Sequence, residues 1–205
     1  MKFVTLHDRL RGPIVLTLRE KLGVQNVHAL PHLLKITVNV GINRSKMEGK
    51  EMLEYIEESL KRITGQKPAL RTAKKAISNF NIREGLVVGA MVTLRGKRME
   101  AFLDKLLHIA LPRVRDFRGV TQKLDGHGNY SIGLKEHTVF PEVPPPADAS
   151  KLFGLQVTLT TTTTSDKDAR ALLEAIGVPF RKEKEVEGAR EEKAAKQREA
   201  KKHSS

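Results

Sequence analysis

The 205-residue sequence contains no cysteine and no tryptophan, and aromatic residues make up only 4% of it. The lack of cysteine excludes disulfide bonds and cysteine-ligated zinc. A protein that stacks unpaired bases on its surface would carry more aromatic side chains, so the composition favours contacts to helical RNA or its backbone. No segment has the unbroken apolar length of a signal peptide or a membrane span. We therefore expect a soluble, cytoplasmic protein with no membrane partner.

Positive charge is in large excess: 37 lysines and arginines face 24 acidic residues, which gives a formal net charge of +13. Such a surplus predicts an anionic partner, most often nucleic acid and sometimes membrane headgroups. Hydrophobic residues amount to 39%, enough to build a core. We predict a single domain over residues 1–180. Residues 181–205 are almost purely charged and predict a tail that either adds nonspecific affinity for polyanions or only aids solubility.

The basic charge is concentrated in the stretch Ile63–Ala76, which contains no acid. Gly65 and Pro68 end the preceding helix, so the cations lie on a turn and a short extended segment. Phosphate neutralisation dominates nucleic-acid affinity, and this stretch is suited to it. The alternative is a solvated, lysine-rich loop. The basic residues in question are Arg62, just inside the helix, and Lys67, Arg71, Lys74 and Lys75.

Apolar periodicity predicts helices and strands in mixed order. A stripe of leucine and isoleucine at every fourth position from Leu6 to Leu22 indicates an amphipathic helix ended by Gly23, with Pro13 kinking or delaying it. Strict alternation indicates half-buried strands. The further elements are strands at Leu34–Val40, Ala69–Thr72, Leu86–Arg95 and Leu155–Thr160, a helix opened by a Ser45–Glu48 capping box and ended at Gly65, a helix from Lys97 to Pro112, and a helix Ala169–Ile176 capped by Ser165 and Asp168.

Two segments lack such a pattern. Ile77–Gly85 is polar and irregular and predicts a long mobile loop. Arg113–Pro146 carries arginines, glycines and three consecutive prolines, and a loop of this length is usually functional or disordered.

Half-exposed strands are not typical of a parallel sheet covered on both faces. The predicted fold is α+β, with a largely antiparallel sheet, helices packed on one face, and the other face open for RNA. That open face has hydrogen-bonding groups and positive charge but no carboxylate, and an RNA minor groove offers 2′-hydroxyls and phosphates to such a surface. The alternative is an ordinary wet face rich in threonine. Its predicted members are Lys35, Thr37, Asn39, Met91, Thr93, Arg95, Gln156, Thr158 and Thr160.

Motifs for catalysis or cofactor binding are absent from the sequence. There is no phosphate-binding loop, and Gly126-His127-Gly128 lacks the third glycine of a dinucleotide fingerprint. His28 and His32 have metal-ligand spacing but no third ligand nearby. We predict no cofactor and no metal. Asp116 and Asp125 are the loop acids with basic neighbours, and we expect them to anchor salt bridges.

Several segments together resemble the bacterial-type large-subunit ribosomal protein five family, which binds 5S ribosomal RNA. They keep their order and spacing from about Leu6 to Lys182. The matching segments are KITVNVG at 35–41, ITGQKP at 63–68, VTLRGKRM at 92–99, LPRVRDFRG at 111–119, GNYSIGLKEH at 128–137, VFPE at 139–142, GLQVTLTTT at 154–162 and PFRK at 179–182.

The resemblance implies a ribosome-bound structural protein of the central protuberance, not an enzyme. It implies that the open sheet face grips 5S ribosomal RNA beside the large-subunit RNA, with Lys35, Asn39, Gln66 and Thr93 as gripping residues. It further implies a loop at 79–86 that reaches peptidyl-site transfer RNA, and a long loop from Arg113 that bridges to a small-subunit head protein. Two departures stand out: Arg71 replaces a small hydroxyl residue, and the tail is longer than usual.

The residues predicted to act therefore form three groups. They are, for RNA binding, Lys35, Thr37, Asn39, Gln66, Lys67, Arg71, Lys74, Thr93, Arg95 and Thr158; for the transfer-RNA loop, Asn79, Asn81 and Arg83; and for the intersubunit loop, Arg113, Arg115 and Arg118. Two other hypotheses are a free-standing RNA-binding or RNA-chaperone module, and an RNA-modifying enzyme that uses His127 or Asp116 beside a small-molecule pocket.

Overall fold

Five antiparallel strands form one sheet in a computed structural model, which describes residues 12–42, 50–80, 82–146, 148 and 151–181. The strand order is β2-β3-β1-β5-β4, and the described helices pack on one face of this sheet. The predicted α+β class is confirmed. The strands are β1 Leu33–Gly41, β2 Ala69–Thr72, β3 Val87–Leu94, β4 Tyr130–Leu134 and β5 Leu155–Thr161; the helices are α1 Pro13–Leu22, α2 Lys50–Thr64, α3 Gly96–Lys105 and α4 Asp166–Ile176.

The central strand β1 carries the middle of the core. Ile36, Val38 and Val40 are at most 2% exposed, as the alternating pattern predicts. Val38 lies opposite Val92 of β3 and Val157 of β5, so three β-branched side chains form one apolar row beneath the helices. The same alternation turns Thr37 and Asn39 to the opposite face.

The start of β1 departs from the prediction. Leu34 was expected in the core, but it is 43% exposed, and Leu33 is buried instead. The pairing with β5 shifts register between Leu33 and Lys35, and this irregularity reverses the alternation at its first residue. A sequence pattern alone gives no sign of such a shift.

The prediction of an irregular loop over Arg113–Pro146 is wrong at its centre. Residues Tyr130–Leu134 form the edge strand β4, paired with β5. Tyr130, Ile132 and Leu134 are buried, and Ser131 and Gly133 alternate with them. The period-two signal was present, but it spans only five residues and lies among glycines. A single helical turn follows at His137–Val139.

Helix boundaries also differ from the prediction. Pro13 occupies the first turn of α1, where its missing N–H costs no hydrogen bond, so it starts the described helix instead of kinking it. Gly23 ends that helix with a left-handed φ of 65°. Leu6, Leu10 and the predicted Ser45–Glu48 capping box lie outside the described residues.

Two further segments are more regular than expected. Within the predicted loop Ile77–Gly85, residues Ser78–Phe80 form a helical turn closed by a bridge between Ile77 and Ile82. The mobility of that loop stays a prediction. Helix α4 begins at Asp166, earlier than predicted, and the side chain of its N-cap residue Ser165 makes no capping hydrogen bond. The Asp168 side chain lies within the first turn of the helix and does not cap it.

A buried histidine joins α2 to the segment after β4. The His137 ring is fully buried and stacks on Phe153 with centroids 4.0 Å apart. Its Nε2 atom lies 2.9 Å from the Tyr55 hydroxyl, and its Nδ1 atom accepts the Phe153 N–H at 3.4 Å. Desolvation in this aromatic pocket lowers the pKa of His137 below its ordinary value of 6.5.

We expect the buried histidine to make stability pH-dependent. As pH falls below 6.5, the unfolded chain takes up a proton at this histidine before the folded chain does, so the free energy of unfolding decreases. Denaturant unfolding from pH 7.5 to 5 should show this loss, and His137→Phe should remove part of it. The loss of stability on acidification should be smaller in His137→Phe than in the control His28→Gln, which replaces an exposed histidine. An unaltered profile in His137→Phe would contradict the assignment.

The turn before β4 is tied to the start of α4. Gly128 has a left-handed φ of 75°, and a Cβ atom placed there would lie 2.2 Å from the carbonyl oxygen of Thr163. Its N–H donates to Asp166 at 2.9 Å, and its carbonyl accepts from the buried Thr161 hydroxyl at 2.7 Å. Only glycine fits this junction of β4, β5 and α4.

Gly128→Ala should therefore destabilise the protein by about 2 kcal/mol or more, since it combines strain at positive φ with a backbone clash. Thermal unfolding measures this loss. Gly133→Ala is the matched control, because no heavy atom lies within 4 Å of the added Cβ there. Its effect should stay within roughly 0.5 kcal/mol, as for ordinary surface substitutions. Equal melting temperatures for the two variants would refute the assigned close packing at Gly128.

Candidate nucleic-acid interface

Hydroxyl side chains form a continuous row across four strands on the face of the sheet opposite the helices. Thr37 of β1 lies opposite Thr93 of β3 on one side and Thr158 of β5 on the other. Thr158 in turn lies opposite Ser131 of β4, with the two side-chain oxygens 3.0 Å apart. Ser131 is not among the residues predicted to bind RNA, because its segment was predicted to be a loop. The row presents donors and acceptors at the spacing of the strands, about 4.8 Å.

A second row runs parallel to the first and contains amides and small residues. Asn39 of β1 lies opposite Gln156 of β5 and Met91 of β3. The ends of the row are Gly133 and Ala69, which carry little or no side chain. Because these two residues carry little or no side chain, the backbone of a partner can approach the sheet closely beside the amides.

Cations border the hydroxyl row on its other side. Lys35 of β1 lies opposite Thr160 of β5 and is half-buried. Arg95 follows directly after β3, is exposed, and donates a 3.3 Å hydrogen bond to the carbonyl of Leu34. That bond fixes the guanidinium near the exposed side of β1 while its other N–H groups remain available.

The strands contribute no carboxylate to this open face, as the prediction required. Its described members are lysine, arginine, threonine, serine, asparagine, glutamine, methionine and small residues. No described helix crosses it, since the apolar sides of the helices pack against the opposite face. Such a surface combines hydrogen-bonding capacity with positive potential, which suits phosphates and 2′-hydroxyls.

The basic stretch Ile63–Ala76 contains no acidic residue, but acidic side chains of the preceding helix lie close to its cations in the structure. Arg62 pairs with Glu58 at 2.5 Å, one helical turn away. Lys67 lies 3.2 Å from Glu57, because the turn after α2 folds back beside the helix. These two cations are partly neutralised. Lys74 is exposed, and no acidic partner is found for it among the described residues.

Strand β2 brings Arg71 to the open face. Arg71 lies opposite Gly89 of β3, and its guanidinium lies 3.8 Å from the Met91 sulfur. It therefore reaches the second row at the β2 edge. Gln66 is half-buried in the turn before β2, where its backbone bonds to the Thr64 hydroxyl. The sheet thus gathers most of the predicted RNA-binding residues, with Gln66, Lys67 and Lys74 flanking the β2 edge.

An exposed aromatic ring marks the tip of the loop between β2 and β3. Phe80 is 70% exposed, the most among the exposed large apolar residues. It belongs to the helical turn Ser78–Phe80, beside exposed Asn79, and exposed Arg83 follows the bridge. Asn81 lies outside the described residues. Phe80 is not among the predicted contact residues, although an aromatic residue in a polar loop is a signal that the sequence contains.

The predicted intersubunit arginines lie outside the strands of the open face, in the segment that precedes the edge strand β4. Arg113, Arg115 and Arg118 are exposed, and among the described residues they make no ion pair. They line a groove between β4 and the segment that precedes it. Asp116 stands among them with a left-handed φ of 51°. It has no salt bridge within the described part of the chain, so the expectation of an anchoring ion pair at Asp116 is wrong.

Asp125 also differs from that expectation. Its carboxylate accepts hydrogen bonds from the backbone N–H of His127 at 2.8 Å and from both the backbone and side chain of Asn129. Slight desolvation raises the pKa of Asp125, but these hydrogen bonds outweigh it and hold the pKa below its usual value. Asp125 therefore fixes the turn before β4 by hydrogen bonds, not by a salt bridge.

The geometry does not assemble a reactive site around the candidates for catalysis. The groove beside β4 includes Asp116 among its lining residues but not His127, which is exposed on the Asp125 turn. Within the described ranges, no group of three or more histidine or acidic side chains is placed to hold a metal ion. None of the described helices has the length and apolar character to cross a bilayer.

Comparison with known proteins adds evidence over nearly the whole described chain. Residues 26–83 match the family model for ribosomal protein L5, and residues 87–180 match the model for the C-terminus of the same ribosomal family. The large ribosomal subunit protein uL5 of Rubrobacter xylanophilus is 47% identical over 177 residues, covering 86% of this chain and 97% of that protein. The uL5 protein of Natranaerobius thermophilus is 46% identical, covering 85% of this chain and 97% of that protein. The uL5 protein of Thermotoga maritima is 44% identical, covering 88% of this chain and 98% of that protein.

These matches confirm the resemblance drawn from the sequence segments, and they decide against the hypothesis of an RNA-modifying enzyme. Both halves of the chain match in order, and the relatives are covered almost end to end. The chain belongs to the ribosomal protein L5 family, whose members are non-enzymatic structural components of the large ribosomal subunit.

Proposed function

We propose that this protein binds 5S ribosomal RNA through the open face of its sheet and holds that RNA on the large ribosomal subunit. The observation that supports this most is the hydroxyl row of Ser131, Thr158, Thr37 and Thr93, beside an amide row, on a surface to which the strands contribute no carboxylate. Hydroxyl and amide groups held in register by a hydrogen-bonded sheet are preorganised for the backbone and the shallow groove of folded RNA. Family membership makes the ribosome, in the cytoplasm, the place where it acts.

The charged groups have a different task from the hydroxyl and amide rows. Lys35, Arg71, Lys74 and Arg95 lie on or beside the open face and neutralise phosphates, which adds affinity without sequence selection. The hydroxyl and amide rows then fix the register of the RNA. Residues 1–180 act as one RNA-binding domain, and the tail 181–205 adds nonspecific affinity for the neighbouring large-subunit RNA.

Two loops extend the proposal to further ribosomal partners. The loop Ile77–Gly85, which carries the exposed ring of Phe80, contacts the peptidyl-site transfer RNA, with Asn79, Asn81 and Arg83 as further contact residues. The segment before β4, which carries Arg113, Arg115 and Arg118, contacts a protein of the small-subunit head and forms a bridge between subunits. Both assignments rest on the family resemblance, and the exposure of Phe80 and of the loop arginines supports them.

The open face is tested by substitution and filter binding to 5S RNA. Asn39→Ala or Gln66→Ala should weaken specific binding by roughly 1–3 kcal/mol, because each leaves a polar group of the RNA unpaired in the interface. Lys35→Ala should also lower the slope of log affinity against log salt concentration by about one, the contribution of one phosphate contact. Lys61→Ala is the control, since Lys61 is exposed on α2 behind the sheet. Wild-type affinity in both Asn39→Ala and Gln66→Ala would count against this interface.

The same assay separates the proposal from a free-standing RNA chaperone. A chaperone would bind unrelated duplex RNA as tightly as 5S RNA and would stay out of the large-subunit fraction in a sucrose gradient. We expect preference for 5S RNA and sedimentation with the large subunit.

The transfer-RNA loop is tested in large subunits reconstituted with variant protein. Phe80→Ala should weaken peptidyl-site transfer-RNA binding by about 1–3 kcal/mol if the ring stacks on the nucleic acid. The free protein should keep its affinity for 5S RNA, because Phe80 belongs to the connection between β2 and β3 and not to the strands of the open face. Ile109→Ala is the control, since it removes another exposed apolar side chain from a different part of the surface. Unchanged transfer-RNA binding in Phe80→Ala would contradict the loop assignment.

A further inference from the structure

A groove of about 810 Å³ runs along the outer edge of the sheet. One wall is the edge strand β4 with the residues that follow it to Glu136, and the other is the segment from Leu111 to Thr121. Ile132, which points into the core, and Ser131, which points to the open face, both line it. A cavity that touches side chains of both faces lies at the edge of the sheet, not on either face.

The strand edge beside this groove has no backbone partner among the described residues. β4 pairs with β5 alone, and in the described part of the chain no other backbone or side-chain group bonds to the main chain of Tyr130–Leu134. An edge strand turns every second N–H and C=O outward, where another extended chain can pair with them. Five residues of strand extend about 17 Å, enough to pair with a short peptide segment.

The opposite wall is held in place by the C-terminal end of the described chain. The Val120 N–H donates to Pro179 at 2.8 Å, and the Arg181 N–H donates back to Val120 at 3.0 Å. The Arg181 guanidinium donates to the Gly119 carbonyl at 3.0 Å, and the Tyr130 hydroxyl donates to the Thr121 carbonyl. The groove is therefore preformed, which reduces the entropy that a ligand must lose to order it.

The chemistry of the lining favours a peptide with apolar and acidic side chains. Val114, Phe117 and Val139 are half-buried and give the groove an apolar component. Among the charged lining residues, five are basic and two, Asp116 and Glu136, are acidic. The basic ones are Arg113, Arg115, Arg118, Lys135 and Arg181.

We infer that this groove binds an extended, acidic peptide segment of a protein partner, which joins the sheet as a sixth strand beside β4. The backbone of the segment pairs with the outer edge of β4, its apolar side chains contact Phe117 and Val114, and its carboxylates pair with the arginines of the rim. RNA is a poorer occupant, because two carboxylates stand in the groove while the open face has none. Arg113, Arg115 and Arg118 belong both to this groove and to the proposed intersubunit bridge. The inference rests on the groove alone, and it is tested without ribosomes or RNA.

The test measures binding of a fluorescent eight-residue peptide that alternates valine with glutamate to the purified full-length protein. We expect saturable binding, at least tenfold weaker for a valine–lysine peptide of the same length. N-methylation of alternate backbone amides should also weaken binding at least tenfold, because it blocks strand pairing without changing any side chain. Hydrogen exchange followed by NMR should show protection of alternate amides within 130–134 in the complex.

Matched variants locate the site. Arg115→Glu combined with Arg118→Glu should reduce peptide affinity at least tenfold and leave 5S RNA affinity within twofold. Arg71→Glu on the open face should reduce 5S RNA affinity at least tenfold and leave peptide affinity within twofold. Both sets of side chains are exposed, so folding should be unaffected, and circular dichroism checks this.

Three outcomes would overturn the inference. One is no saturable peptide binding, or equal binding of the N-methylated peptide. Another is displacement of the peptide by unrelated duplex RNA together with loss of RNA affinity in the double arginine variant, which would make the groove a polyanion site. The third is a stable dimer of the free protein that excludes the peptide, which would assign the groove to a second copy of the chain. None of these results would alter the case for RNA binding at the open face, which the Asn39→Ala and Gln66→Ala variants test separately.

Discussion

The pairing of β1 with strands on both of its sides is the constraint on which the rest of the molecule depends. Its register places Ile36, Val38 and Val40 beneath the helices and turns Thr37 and Asn39 outward. Because side chains alternate with a period of two, a slip by one residue would bury the hydroxyls and expose the valines. The apolar core therefore selects the register, and the register in turn aligns the polar rows. Stability and the proposed recognition of RNA are fixed by the same hydrogen-bonded ladder.

Much of this arrangement follows from local sequence, because burial on one face leaves a regular signal. The alternation in β1, β3 and β5 predicted the half-buried strands and their polar face. The residues missed are those whose position depends on other parts of the chain. β4 is only five residues long, and its place beside β5 is set by the Asp125 turn and by the Gly128 junction with α4. Leu34 is exposed because of a register irregularity that no periodicity encodes.

Which cations pair with acidic side chains was harder to predict than which segments form helices and strands. The stretch Ile63–Ala76 has no acid in sequence, yet Glu57 and Glu58 of the preceding helix neutralise part of it. A helix turn brings residues four apart together, and the chain reversal after α2 brings Lys67 back beside Glu57. The freer cations are those on the sheet and its border, Lys35, Arg71, Lys74 and Arg95. Family membership was accessible from the sequence because many short segments keep their order, which no single segment could establish.

The sheet thus offers two surfaces with different chemistry. Its open face is polar, cationic and without carboxylates, whereas the groove at its β4 edge is partly apolar and mixes five cations with two acids. The first suits folded RNA, and the second suits an extended peptide. Photo-crosslinking to 5S RNA tests the central claim most directly, with a benzophenone side chain placed either at Asn39 or at Lys61. The account predicts an efficient crosslink from position 39 and almost none from position 61; the opposite pattern would contradict it.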